Sequence, residues 1–202
     1  MTLATYEAAA QRYRERAGPP GVDLVSFLDR LVELVGIGDV VELGSGPGRD
    51  ATYLEDRGLR VMRTDAARAF VDMMRADGYQ ARLLDVRTGE LGGPYDAVLA
   101  HAMLLHLTRG EFREALVRIR RAVVNGGVLA FTVKEGDGEG WSEAKLDLPR
   151  FFTYWRESAV RTALERAGWA VLSIDHVAGR HEPWLYVLAR TGEPPRSGSA
   201  TR

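Results

Sequence analysis

Val40-Val41-Glu42-Leu43-Gly44-Ser45-Gly46-Pro47-Gly48-Arg49-Asp50 runs from a short apolar strand, with an acidic residue near its end, through three alternate glycines into a helix start. Glycines this dense let a backbone turn sharply and approach a ligand without interference from Cβ. The helix that follows offers unpaired N–H groups and a positive dipole end to a polar or anionic group. The stretch therefore points to a nucleotide-like cofactor. The dinucleotide fingerprint places its third glycine three positions after the second. The spacing here is G-x-G-x-G, which counts against a nicotinamide-dependent oxidoreductase.

Working outward, hydrophobic periodicity predicts helices over 6–17, ended by Gly18-Pro19-Pro20, and over 23–35, ended at Gly36. Strands are expected at 40–43, 59–63, 79–84, 95–100 and 128–133, separated by helices at 50–57, 67–76 and 109–124. Alternation of this kind predicts a doubly wound parallel sheet with right-handed crossovers and helices on both faces. The ending differs: a helix over 156–167, a strand over 169–177, then only Ala178-Gly179-Arg180 before a strand over 183–189. Strands joined this closely are antiparallel, because a parallel pair needs a crossover of a dozen or more residues. The expectation is a Rossmann-like α/β fold: a mostly parallel seven-stranded sheet with an antiparallel C-terminal hairpin strand. One domain is expected over 1–190, followed by a disordered Gly, Pro and Ser-rich tail over 191–202.

The 202 residues carry a net charge of −1 and no cysteine, which excludes disulfides, cysteine-ligated zinc and a thiol nucleophile. The charge balance gives no general attraction for nucleic acid. Arg113, Arg118, Arg120 and Arg121 interleave with Phe112, Leu116, Ile119 and Val123 at helical spacing, so they read as the solvated face of an amphipathic helix. No apolar run of membrane-spanning length and no signal peptide is visible, and a cytoplasmic location is expected.

Glu42 followed by G-x-G-x-G, five βα units and a terminal strand hairpin together resemble the class I S-adenosylmethionine-dependent methyltransferases. The resemblance covers about residues 5 to 190. It implies that the glycine turn, with Gly44, Ser45 and Gly46, wraps the amino-acid end of S-adenosylmethionine. Glu42 then orders that turn or contacts the cofactor, and Gly48 serves helix–strand packing. Asp65, with Ala66 beside it, stands where the family has its ribose-binding acid; a carboxylate can accept from both vicinal hydroxyls. Asp85 matches the acid that accepts from the adenine amino group, and Val86 is available to pack on the ring. Capping of the following loop or helix is the competing structural reading for each Asp. Tyr6 and Tyr13 lie on a helix that folds over the cofactor in relatives, and burial against the domain competes with a ligand contact.

Methyl transfer from a sulfonium requires chiefly that the acceptor be positioned and desolvated, with a base only if the acceptor must lose a proton. His101, directly after the fourth strand, is the candidate base. His106, set among Leu104, Leu105 and Leu107, reads as a packed structural histidine. The glycine-rich segment from Lys134 to Trp141, with Phe151-Phe152-Thr153-Tyr154-Trp155, must cross the site. Trp141, Tyr154 and Trp155 are candidate walls of an acceptor pocket, with core shielding as the alternative, and His176 and His181 flank the terminal hairpin near its mouth. No Asn/Asp-Pro-Pro-Tyr/Phe signature follows strand four, and no metal-binding set is evident. The resemblance thus implies a methyltransferase acting on O, N or C of a small molecule, without metal, nucleic acid or membrane partner. The alternatives are an S-adenosylmethionine-binding protein without transferase activity and the nicotinamide enzyme.

Overall fold

Residues 40–43 and 128–133 are near-continuous apolar runs, the composition of strands covered on both faces. The computed structural model, which describes residues 2–143, 146–180 and 182–192, buries them so. Helices α1 (Thr2–Arg16) and α2 (Val22–Val35) precede β1 (Asp39–Leu43). There follow α3 (Arg49–Glu55), β2 (Arg60–Asp65), α4 (Arg68–Ala76), β3 (Ala81–Leu83) and β4 (Tyr95–Ala100). A single 3-10 turn (Leu104–His106) then leads to α5 (Arg109–Ala122) and β5 (Val123–Lys134). The chain ends with β6 (Glu139–Ser142), β7 (Arg150–Thr153), α6 (Glu157–Arg166), β8 (Trp169–Val177) and β9 (Trp184–Thr191).

The main sheet has seven strands in the order β3-β2-β1-β4-β5-β9-β8. β1 pairs in parallel with β2 and β4, whereas β9 runs antiparallel between β5 and β8, as the short hairpin connection requires. Side chains alternate between two cores, following the two-residue period of a strand. Val41, Val98 and Leu129 face α5 and α6, and Val40, Ala97 and Ala130 face α2 and α3. Chain order reverses between β1 and β4, so their carboxyl ends leave the crevice where ligands of such sheets bind. Among the described residues no helix is long and apolar enough to cross a membrane.

Four boundaries depart from expectation. α1 begins at Thr2, a turn early, because Thr2 and Thr5 find backbone partners at Phe151 and Pro149. β5 starts at Val123, and its pairing with β4 shifts register between Tyr95 and Ala97, absorbing Asn125-Gly126-Gly127. The glycine-rich segment after β5 is a second, two-stranded sheet of β6 and β7, with Trp141 opposite Phe151. Thr191 belongs to β9 and not to a tail: it is buried, and its Oγ1 accepts from the Gly126 N–H at 2.6 Å. Residues 193–202, the remainder of the expected tail, lie outside the described residues.

Phe112 is fully buried between Phe131 and Trp155, with ring centroids at 5.8 and 4.3 Å. Phe112→Ala should destabilise the fold by about 3–5 kcal/mol, read as a lower midpoint in chemical denaturation. A change below about 1 kcal/mol would mean that this layer repacks freely.

Candidate active site

The carboxyl ends of β1 and β2 are stitched together. The Ser45 N–H donates to the Thr64 carbonyl at 2.9 Å, the Thr64 N–H to Ser45 Oγ at 3.1 Å, and Thr64 Oγ1 to the Glu42 carbonyl at 2.7 Å. Asp65 completes the seam: Oδ2 accepts from the Gly46 N–H at 2.9 Å and Oδ1 from the Ala67 N–H at 2.8 Å. Gly44, Gly46 and Gly48 all have left-handed φ values, of 72°, 55° and 84°. A Cβ on Gly44 would fall 2.5 Å from Met103 Cγ, so this glycine also serves close approach to the loop after β4.

Beneath the turn lies a cleft of about 550 Å³, within the range of small-molecule sites. Glu42, Gly44, Ser45, Gly46, Asp65 and Ala66 line one end of it, with Asp85 and Val86 further along. Glu42 is only 2% exposed, and its Oε2 has no partner among the described residues. Burial first, and then the neighbouring Asp50 charge, push its pKa up to about 8. Burial likewise raises Asp65 to about 6, although the two backbone N–H groups hold it back. The Arg87 guanidinium grips the Asp85 carboxylate at 2.6 Å and lowers its pKa. The acid expected at the adenine end is therefore already half of an ion pair.

His101 also lines the cleft. Its Nδ1 lies 2.6 Å from Asp50 Oδ2, and Asp50 Oδ1 accepts from Arg49 Nε at 2.6 Å. A carboxylate can only accept, so Nδ1 carries the hydrogen and Nε2 is left as an acceptor. Burial alone would raise the Asp50 pKa, but the His101 and Arg49 contacts outweigh it and hold it at about 2. Ala102, next in the chain, adopts a left-handed φ of 51°, held by its N–H to Thr132 Oγ1 at 2.9 Å. Strain at a non-glycine residue here turns His101 and Met103 together toward the cleft.

α1 lies along the cleft, its first turns at one end and Tyr13 to Gly18 at the glycine turn. Glu7 anchors it by accepting from the N–H groups of Arg68 and Ala69 at 2.6 and 2.9 Å, which caps α4. At the far end His106 Nδ1 meets the Phe151 carbonyl at 2.7 Å, so that nitrogen is the donor. Its Nε2 consequently accepts from the Tyr6 hydroxyl at 2.8 Å. Burial lowers His106 to about 4 and raises Tyr6 to about 12, keeping both neutral.

Several expected wall residues sit elsewhere. Trp141 does line the cleft. Trp155 does not: it is 1% exposed, packed beneath α5 on Phe112, with Arg109 over its ring at 4.6 Å. Tyr154 is also outside the lining, its hydroxyl donating to Glu182 at 3.1 Å. The cause is where β7 ends: Phe151 pairs with Trp141 inside the two-stranded sheet, whereas the strand stops at Thr153 and Trp155, bridged to Glu135, turns into the core under α5. His176 is held by Glu135 and Glu157, away from the lining, and His181 lies outside the described residues. Nothing in the sequence pairs Asp50 with His101. His106, expected as structural only, both packs and faces the cleft. Thr2, Met103 and Phe151 carried no motif of their own.

Fold and site define an α/β protein with a glycine-turn cleft at the β1–β4 switch point. A family model described as a methyltransferase domain matches residues 41–131. A search of curated proteins returns no match. Among solved structures, DhpI in complex with S-adenosylhomocysteine is similar: 24% identity, 96% of each chain covered, TM-score 0.77. The Burkholderia thailandensis 1,6-didemethyltoxoflavin-N1-methyltransferase shows 18% identity and a TM-score of 0.76, covering 95% of this chain and 87% of that one. The [4+2]-cyclase SpnF has 16% identity and a TM-score of 0.66, with 83% and 80% covered. Residues 41–131 thus match a methyltransferase domain model, and the chain has the Rossmann-like fold of solved S-adenosylmethionine-dependent methyltransferases.

Glu42 keeps a proton in the folded site that it loses in the unfolded chain, across pH from about 4.5 to about 8. Its contribution to stability is therefore present at low pH and lost as pH rises through that window. Glu42→Gln should exceed the wild type in Tm by a margin that grows as pH rises, and His106, common to both proteins, cancels in the difference. A margin independent of pH would show that Glu42 is ionised in the ligand-free fold.

Proposed function

We propose that the chain transfers the methyl group of S-adenosylmethionine to O, N or C of a small-molecule acceptor held in the same cleft. Glu42 carries the reading: a buried carboxylate with an unpartnered oxygen, facing the cleft under a glycine turn. A cationic ligand group supplies the missing partner, and the methionyl end of this cofactor bears an ammonium. Gly44, Ser45, Gly46 and Ala66 hold the cofactor by backbone and shape, Asp65 takes the ribose hydroxyls, and Asp85 and Val86 border the adenine. When bound, the cofactor supplies a methyl group on a sulfonium, a leaving group that needs no protonation.

The chain's own task is to orient the acceptor, exclude water and remove a proton where the acceptor must lose one. His101 is suited to the last step. Asp50 fixes the tautomer in which Nε2 accepts, and stabilises the imidazolium that forms. The acceptor is taken to be a soluble small molecule met in the cytoplasm, and a chain of net charge −1 suits neither nucleic acid nor an anionic membrane surface.

A same-fold neighbour named a [4+2]-cyclase favours keeping a second reading, cofactor binding without methyl transfer. Calorimetric titration with S-adenosylmethionine, S-adenosylhomocysteine and NAD should give micromolar binding of the two adenosyl ligands alone. Lack of binding by both would end the proposal, and tight binding of NAD would restore the oxidoreductase alternative. Asp65→Ala should weaken S-adenosylhomocysteine binding by about 1–3 kcal/mol, and unchanged affinity would remove Asp65 from the site.

With an acceptor that the wild type methylates, His101→Ala should lower kcat by about 10²–10⁴-fold and leave cofactor affinity nearly unchanged. Asp50→Asn should reduce kcat in the same direction. Full turnover in His101→Ala would make this histidine architectural.

A further inference from the structure

The end of the cleft beyond the glycine turn is built from three segments. Thr2, Leu3 and Tyr6 come from α1, Met103 and His106 from the loop after β4, and Trp141 with Phe151 from the β6–β7 sheet. The walls are aromatic or thioether. The Trp141 and Phe151 rings meet edge-on at 5.5 Å, and Trp141 remains 55% exposed, a large apolar face at the cleft mouth. Unpaired faces of this kind favour a flat π-system against them.

Among the described residues, the cations near this end stand behind the lining. Arg150 is buried over the Phe152 ring, with Nη1 3.5 Å from the Tyr6 hydroxyl. Lys134 lies over the same ring at 3.9 Å and pairs with Glu182 at 2.6 Å. Arg109 donates to the Tyr154 carbonyl at 2.7 Å. The arginines that do line the cleft sit at its other parts: Arg16 near Gly18 on α1, Arg49 on Asp50, and Arg87 on Asp85. An anionic acceptor would thus exchange water for ring faces without a counter-charge among the described lining residues, which is unfavourable.

The polar groups at this end are neutral and directional. The Tyr6 hydroxyl gives its hydrogen to His106 Nε2, accepts from Arg150 Nη1, and keeps one lone pair that can accept from a ligand O–H or N–H. We infer that the acceptor is an uncharged, flat aromatic or heteroaromatic molecule, stacked by Trp141 and Phe151 and hydrogen-bonded by the Tyr6–His106 pair. This rests on the methyl-transfer reading above.

The test uses the full chain saturated with S-adenosylhomocysteine and three matched probes: 2-naphthol, 2-naphthoate and trans-decalin-2-ol. The first pair differs in charge, and the first and third differ in flatness. Calorimetry should give 2-naphthol an affinity at least about tenfold above either other probe. Trp141→Ala should weaken 2-naphthol by about fivefold or more while leaving S-adenosylhomocysteine affinity unchanged. Equal or tighter binding of the naphthoate or the decalinol, no binding of 2-naphthol, or indifference to Trp141→Ala would each overturn the inference. Failure of S-adenosylhomocysteine itself to bind is a separate result, which removes the cofactor reading and this inference with it.

Discussion

The site depends on one constraint, that β1 and β2 end as a single stitched unit. Two parallel strands leave unpaired amides and carbonyls at their carboxyl ends, where the chain turns away into helices. Here Ser45, Thr64 and Asp65 satisfy these groups across the gap between the two turns. The glycine turn can then hold three successive left-handed glycines without collapsing into the cleft. The same carboxylate that closes the seam, Asp65, also lines the cleft. Burial raises its pKa, and the two backbone N–H groups offset that only in part.

From this seam the electrostatics divide the cleft. Under the glycine turn the ionisable groups are dense and coupled: Glu42 and Asp50 repel each other, while Arg49 and His101 draw Asp50 into its charged form and leave Glu42 the weaker acid. Glu42 thus holds a proton that a cationic ligand group would displace on pairing with it. Beyond Met103 the groups are neutral, because burial holds His106 and Tyr6 uncharged. A site that selects one partner by charge and another by shape needs this separation, since a stray ion at the acceptor end would be costly in the absence of water.

Legibility in the sequence followed the range of the interactions. The glycine turn, the acids after the strands and the terminal hairpin are local patterns set by a few adjacent residues, and the strand order follows from them. Trp155 was less legible, since it lies beyond the end of β7 and its side of the chain is set by a bridge to Glu135, far off in sequence. The glycine-rich segment 134–141, expected to cross the site, instead makes the turn between β5 and β6, where Gly136 adopts a φ of 151° against the Tyr154 ring. The Asp50–His101 contact spans 51 positions and joins two elements whose sequences give no sign of each other. Only the crossing of α3 over the end of β4 brings them together.

α1 shows how an element outside the sheet can complete a site. Its sequence is weakly amphipathic, and only Thr5, Ala9 and Ala10 are buried, so apolar burial alone holds it loosely. Polar contacts with separate partners supply the rest. Glu7 caps α4, Tyr6 reaches the loop after β4, and Thr2, Thr5 and Arg12 reach the segment from Leu146 to Phe151. These partners belong to three separate segments around the cleft. Displacing α1 would therefore uncap α4 beside Asp65 and release the Tyr6–His106 pair at the far end together. A helix held by hydrogen bonds to three segments, and by little core, can couple the two ends of the cleft, because both require the same position of one rigid element.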